Sequence, residues 1–218
     1  MISKRIKYIA SLVTFSDKVL DIGTDHALLP IYLIKNGVTD TADGCDISSN
    51  VLINAKSNLI KYNLDKKINL FCSDGTKQVN TSKYNTFIIT GMGFYTVKDI
   101  LDNSRLDNIN RLIIQSNNNH EDLRRYLNLI GYKIIKDHYI MDKNKPYLIV
   151  DAIKGNQKLS DQEYICGLLS KDNKWYYEYI LNKYKKILDG IPNDENNDIK
   201  QKIGYYNNYM DAIKRIED

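Results

Sequence analysis

The sequence predicts an α/β protein: a mostly parallel sheet with helices between its strands, followed by a helical hairpin. Three observations carry this. Short apolar runs alternate with amphipathic helical patterns over residues 18–131, as expected of strands joined by right-handed crossovers. After residue 131 two strand patterns, YKIIKDHYIMD and KPYLIVDAI, follow each other with no helix between them, so an antiparallel hairpin should close one edge of the sheet. From residue 156 the strand patterns stop, and apolar residues recur at steps of three and four.

Each element has its own local reason. SKRIKYIASLV places Ile6, Ile9, Ala10 and Val13 on one helical face behind Ser3, a good N-cap, and leaves Lys4, Arg5 and Lys7 on the other. KVLDIG reads as a strand and DHALLPIYLIKNG as a helix ending at Gly37. TADGCDI is the next strand, and SSNVLINAKSNLIKYNL is an amphipathic helix capped by Ser48 or Ser49. INLFCSDG, YNTFIITGMG and RLIIQSN are strands, and HEDLRRYLNLIGY is a helix ending at Gly131. The hairpin turn falls near Lys143 to Lys145. In the last part, Tyr177, Ile180, Tyr184 and Ile187 form one stripe, and Ile199, Ile203, Tyr206, Met210 and Ile213 form a heptad seam. The stretch DGIPNDENN breaks the two helices apart.

At 218 residues the chain can hold one full core and an appendage. We divide it into a catalytic domain over residues 1–155 and a helical extension over residues 156–218. No run approaches the roughly 20 apolar residues of a membrane span, and charge interrupts the start MISKRIKYIASLV, so a cytoplasmic protein is expected. Cys45, Cys72 and Cys166 are too scattered for a disulfide framework or a metal knuckle, and His26, His120 and His138 lack paired spacing. No structural metal is expected. A formal charge of +4 does not by itself identify a nucleic-acid binder. The whole excess lies before residue 154, because residues 154–218 carry 11 basic and 11 acidic side chains.

The chemistry concentrates at strand ends, where open α/β sheets bind ligands. Asp21 and Gly23 follow the first strand, Asp46 and Ile47 the second, and Asp74 and Gly75 the third. A carboxylate after the second strand can accept both hydroxyls of a ribose, and one after the third can accept an adenine amino group. The first loop, DIGTDHA, has one glycine instead of the G-x-G-x-x-G that cradles a pyrophosphate, and it adds carboxylates. That suits a cationic ligand without phosphates, such as the sulfonium S-adenosylmethionine. Gly91 and Gly93 flank Met92 at the end of the fourth strand, where the reacting base should lie, and Asn117 follows the fifth. Plain structural roles compete throughout: a helix cap for Asp25, Asp46 or Asn117, a simple turn for Asp74 or for GMG.

Taken together, SKRIKYIA, DIGTDHALLP, GCDIS, SDG, TGMG and IIQSN resemble the bacterial tRNA (adenine-N1)-methyltransferases of the TrmK type over roughly residues 2–153. The resemblance implies a seven-stranded Rossmann-like domain that uses S-adenosylmethionine, a coiled-coil extension, and methylation of adenine 22 in tRNA. It implies cofactor contacts at Asp21, Gly23, His26, Asp46, Ile47, Asp74, Gly75, Gly91 and Gly93. Asp25, Met92 and Asn117 become the candidates at the reacting base, and Lys4, Arg5, Lys7, Arg124 and Arg125 the candidates for tRNA phosphates. A monomer is expected, with a dimer as the alternative. Two positions depart from the family pattern. Phe94 replaces a glycine and is free either to stack on the base or to fill core; Ser116 replaces a proline. Two rivals stand beside this reading: a methyltransferase of a small molecule or protein, and a non-catalytic RNA-binding scaffold that keeps the fold.

Overall fold

The computed structural model describes residues 2–190 and 197–217. Seven strands form one sheet in the order β3-β2-β1-β4-β5-β7-β6. They are β1 (Lys18–Ile22), β2 (Thr41–Asp46), β3 (Leu70–Cys72), β4 (Thr86–Met92), β5 (Arg111–Ser116), β6 (Tyr132–Asp142) and β7 (Lys145–Lys154). The first five run parallel, and β7 lies antiparallel between β5 and β6. The expected hairpin is present, with Lys143 and Asn144 in the left-handed region at its turn.

The central strands are apolar on both faces because both faces are covered. Val19, Ile88 and Ile113 point to one side, against α1 (Lys4–Leu12) and α2 (Leu28–Lys35). Leu20, Phe87 and Leu112 point to the other, against α4 (Phe94–Asp102) and α5 (His120–Leu129). The helix α3 (Ser49–Lys61) joins the first layer by packing Ala55 and Leu59 on Ala27 and Ile31. Arg111 ties the far end of the sheet together, with a two-pronged contact to Asp151 at 2.9 and 2.7 Å and a third bond to Asp17 at 3.1 Å.

Ser3 caps α1 and Ser48 caps α3, as read from the sequence. The helix α2 starts later than expected, at Leu28, because Asp25 and Ala27 adopt left-handed conformations with φ of 49° and 57°. Asp25 is therefore not its cap. Phe94 opens α4 in the interior, edge-on to Tyr126 at 6.1 Å, which settles its two alternatives in favour of core.

Among the described residues the extension holds three α-helices, α6 (Asp161–Cys166), α7 (Lys174–Asp189) and α8 (Asn197–Glu217). Tyr177 meets Tyr209, Tyr184 stacks on Tyr205, and Lys174 pairs with Glu217 at 2.5 Å, so α7 and α8 run antiparallel within the chain. The α7 stripe is the expected one. On α8 the buried stripe is Tyr209, Ala212 and Ile216, and Ile203 of the expected seam is exposed. The reason is that Tyr205 and Tyr209 turn inward to meet the α7 tyrosines, and Tyr209 also donates to the Ile165 carbonyl. Residues 191–196, the middle of the predicted breaker, lie outside the described residues.

Candidate active site

Strand order reverses between β1 and β4, and the crevice at their carboxyl ends is the place where such sheets bind ligands. A cavity of about 330 Å³ opens there, lined by Arg5, Asp21, Gly23, Asp25, His26, Asp46, Gly91 and Met92 among others. The fold thus brings together these eight of the residues that sequence alone singled out, from four separate segments.

Asp21 lies almost fully buried at the end of β1 and accepts a hydrogen bond from Thr24 Oγ1 at 2.7 Å. Burial pushes its pKa up to about 7; the Thr24 bond opposes this, and the nearby Asp46 and Asp25 carboxylates add to it. Asp46 is held from two sides, by Ser48 N–H at 2.9 Å and Asp25 N–H at 3.4 Å. It is not the cap of α3, since Ser48 is. Asp25 presents its carboxylate to solvent at the rim, with His26 Nε2 at 3.6 Å. Gly23 has φ of 75°, a conformation that side chains disfavour, and a Cβ there would fall 2.2 Å from the Met92 methyl.

Other candidates flank the cavity without lining it. Ile47 is 70% exposed beside Asp46. Asp74 and Gly75 lie just past β3, with Asp74 paired to Lys77 at 2.5 Å and the Gly75 carbonyl accepting from Cys45 Sγ at 3.3 Å. Gly93 caps α4 without a side chain. Asn117 donates through Nδ2 to the Gly91 carbonyl at 2.7 Å and does not cap α5, whose N-cap is Asn119.

Three residues that the sequence reading missed hold the site in shape. Gln115, fully buried, accepts through Oε1 from Arg5 Nη1 at 3.0 Å and Gly91 N–H at 3.1 Å, and donates through Nε2 to Asn117 Oδ1 at 3.0 Å. A lone polar residue at the end of an apolar strand was its only signal. Thr24 supports Asp21, and Gly44 leaves room for Thr24: a Cβ at Gly44 would come 2.7 Å from its Oγ1.

The expected tRNA-contacting basic group divides. Lys4 and Lys7 are exposed on α1, whereas the Arg5 guanidinium turns inward to Gln115 and lies over the Tyr147 ring at 4.8 Å. The expectation for Arg124 is overturned. It is 1% exposed and bound to Asp137, the Tyr139 hydroxyl and the Tyr164 carbonyl, because a charge in the interior must be paired. Arg125 is part-exposed, with its guanidinium already bonded to Glu121 and Asp161. Ser116 is buried and donates to the Asn118 carbonyl at 2.8 Å, shaping the turn that leads into α5.

Residues 2–150 match a protein family described as a methyltransferase domain. The chain belongs to that family. Within it, the methyltransferase is 35% identical over 195 residues to a putative tRNA methyltransferase of Mycoplasma genitalium, covering 84% of this chain and 87% of that one. It is 25% identical to the tRNA (adenine(22)-N(1))-methyltransferase of Bacillus subtilis over 100% of this chain and 97% of the other. The solved structure of M. capricolum TrmK with the cofactor product S-adenosyl-homocysteine superposes with a TM-score of 0.86 at 29% identity, covering 99% of each chain. The methyltransferase is thus of the TrmK type. Among its described residues no group of His, Cys, Asp or Glu could hold a metal ion, and no helix is long and apolar enough to cross a membrane.

Proposed function

We propose that the protein methylates N1 of adenine 22 in tRNA, with S-adenosylmethionine as donor. The observation that carries the cofactor assignment is the charge of the cavity: three carboxylates, Asp21, Asp25 and Asp46, line it against one guanidinium, Arg5, and among the described residues no cation is bonded to buried Asp21. Such a wall suits a ligand with net positive charge and no phosphates. The substrate assignment follows the relatives, which carry the same arrangement of domain and helices along nearly their whole length.

When bound, S-adenosylmethionine supplies an electrophilic methyl group. Asp46, its two oxygens oriented by backbone N–H groups, would accept the ribose hydroxyls, while Ile47 offers an apolar face to the adenine ring. Asp74, now paired with Lys77, would receive the adenine amino group next to Gly75. Asp21, His26 and the backbones of Gly23, Gly91 and Gly93 would surround the charged end.

The target base needs no deprotonation to react, since N1 of neutral adenine already carries a lone pair. The protein therefore contributes alignment and exclusion of water. Asn117, fixed by Gln115 and the Gly91 carbonyl, and Met92, packed over Gly23, stand where the base would enter. Asp25 is the carboxylate we assign to the positive charge that develops on the methylated ring. N1 lies on the pairing edge, so the nucleotide must leave its stack at a cost of a few kcal/mol. Contacts from exposed Lys4 and Lys7 to phosphate would offset part of it. We assign catalysis to residues 1–155 and a supporting role in tRNA binding to the helices beyond, in a cytoplasmic monomer.

The test is incubation of unmodified tRNA transcripts with labelled S-adenosylmethionine, followed by nucleoside mapping. Label in 1-methyladenosine at position 22 is expected, with none in a transcript carrying guanosine there. Label in cytosine or guanine, or in a protein or small molecule instead of tRNA, would overturn the reading.

A further inference from the structure

A second cleft, of about 670 Å³, lies between the β5–α5 turn, the β6–β7 turn and the faces of α7 and α8. Apart from Asn117 at its edge, none of its lining residues has been given a role at the reacting base. It adjoins the first cavity through one side chain: Asn117 lines the cleft and bonds to the carbonyl of Gly91, which lines the cavity.

Its wall is rich in tyrosine and carries two lysines and two carboxylates. Tyr139, Tyr176 and Tyr179 form a ladder of near-parallel rings, with centroids 3.8 and then 6.5 Å apart and 22° between planes at each step. The first two rings are buried and Tyr179 is 41% exposed, so the ladder ends in a part-exposed ring in the cleft wall. Lys183, one turn further along α7, lines the same cleft, as does Lys145 across from it. Neither has a carboxylate partner among the described residues, although Lys145 lies over the Tyr147 ring at 5.4 Å. The acidic residues in the wall are already engaged: Glu121 accepts from Arg125 and from the Tyr205 hydroxyl, and Asp122 from Asn119. His120 donates Nε2–H to the Ser116 carbonyl at 3.1 Å, and burial pushes its pKa down to about 4 with help from Arg124. It is therefore neutral, with Nδ1 left as an acceptor.

We propose that this cleft is a second nucleotide site, which takes an unpaired nucleotide flanking the target adenosine, its base stacked on Tyr179 and its phosphate between Lys183 and Lys145. Open aromatic faces beside unpaired cations are the means by which single-stranded nucleic acid is held without regard to sequence. The proposal rests on the tRNA reading above, and its test separates the two.

Binding to the full-length protein is measured with an intact tRNA transcript and with transcripts made abasic on the 5′ or the 3′ side of the target adenosine. Tyr179→Ala should weaken binding of the intact transcript by roughly 5- to 150-fold. Tyr179→Phe should stay close to wild type, and S-adenosylmethionine affinity should not change in either. One of the two abasic transcripts should show the same loss with wild type and no further loss with Tyr179→Ala. Normal tRNA affinity in Tyr179→Ala, as expected if the cleft seats a peptide instead, would overturn the proposal while wild-type methylation of tRNA left the broader reading intact. So would a loss that is undiminished in both abasic transcripts. A wild-type protein that neither binds nor methylates any tRNA would overturn both.

Discussion

Arg124 donates Nε–H to Asp137 Oδ1 at 3.0 Å inside the protein, with both side chains essentially inaccessible. The pair joins α5 to β6; Arg124 Nη1 reaches the carbonyls of Tyr164 and Ile165 that end α6, and Nη2 donates to the Tyr139 hydroxyl. Removing one partner of a buried pair leaves the other charge unmatched, at a cost of about 3–5 kcal/mol. Arg124→Ala should lower the melting temperature by roughly 6–20 °C. A thermal scan indistinguishable from wild type would show that the pair is dispensable.

The pH dependence of cofactor binding should report Asp21. Its folded pKa, about 7, is above its ordinary value, so its contribution to the stability of the cofactor-free protein is fully present below about pH 4 and is lost as pH rises through about 7. A cation in the cavity favours the ionised form. Affinity for S-adenosylmethionine should accordingly rise between about pH 6 and 8, and Asp21→Asn should flatten that rise. Calorimetric titrations at several pH values check both; a flat wild-type profile would remove Asp21 from the cofactor site.

Gly44→Ala should damage the site from behind. The new methyl would meet Thr24 at Oγ1, Cβ and Cγ2, all within 2.8 Å, and a branched side chain has few rotamers in which to escape. Displacing Thr24 removes the hydrogen bond to buried Asp21. Cofactor affinity should fall by roughly tenfold, as for one buried hydrogen bond, with a cooperative fold retained by circular dichroism.

Gln115→Glu separates positioning from cofactor binding. The carboxylate can still accept from Arg5 and Gly91, but it has no N–H for Asn117 Oδ1, so two acceptors would face each other. Turnover on tRNA should drop by roughly tenfold or more, with S-adenosylmethionine affinity within about threefold of wild type. Equal turnover in single-turnover assays would show that the orientation of Asn117 does not matter.

Lys4 and Lys7 should behave unlike Arg5. Replacing each exposed lysine by alanine should reduce the salt slope of tRNA binding by about one. Arg5→Ala should instead slow methyl transfer by loosening Gln115. Identical salt slopes across all the variants would remove α1 from the RNA surface.

The parts of this fold that were legible in sequence are those set by neighbours along the chain. Strand patterns marked all seven strands, and Ser3 and Ser48 marked helix starts, because pleat, period and capping are local. The carboxylates at strand ends were legible for the same reason, since a parallel sheet delivers every strand end to one side. The rest depends on partners far away. Nothing near Arg124 reveals Asp137, so a buried ion pair looked like a basic surface. Gln115 gains its meaning largely from Arg5, 110 positions earlier, and from Gly91, 24 positions earlier. The face that α8 buries is chosen by rings on α7, and Ile203 fits the heptad equally well from either side.

The helix α1 makes its polar contacts with residues more than a hundred positions downstream: Arg5 with Gln115 and with Asp142, Tyr8 with His138. A growing chain would make α1 long before those partners exist, so this helix can pack on α2 early but cannot complete these polar contacts until β6 has emerged from the ribosome. The guanidinium of Arg5 braces Gln115 in β5 while its backbone N–H is anchored on Asp142 in β6, so a chain stopped short of β6 would own every acidic strand tip and hold that brace at one end only.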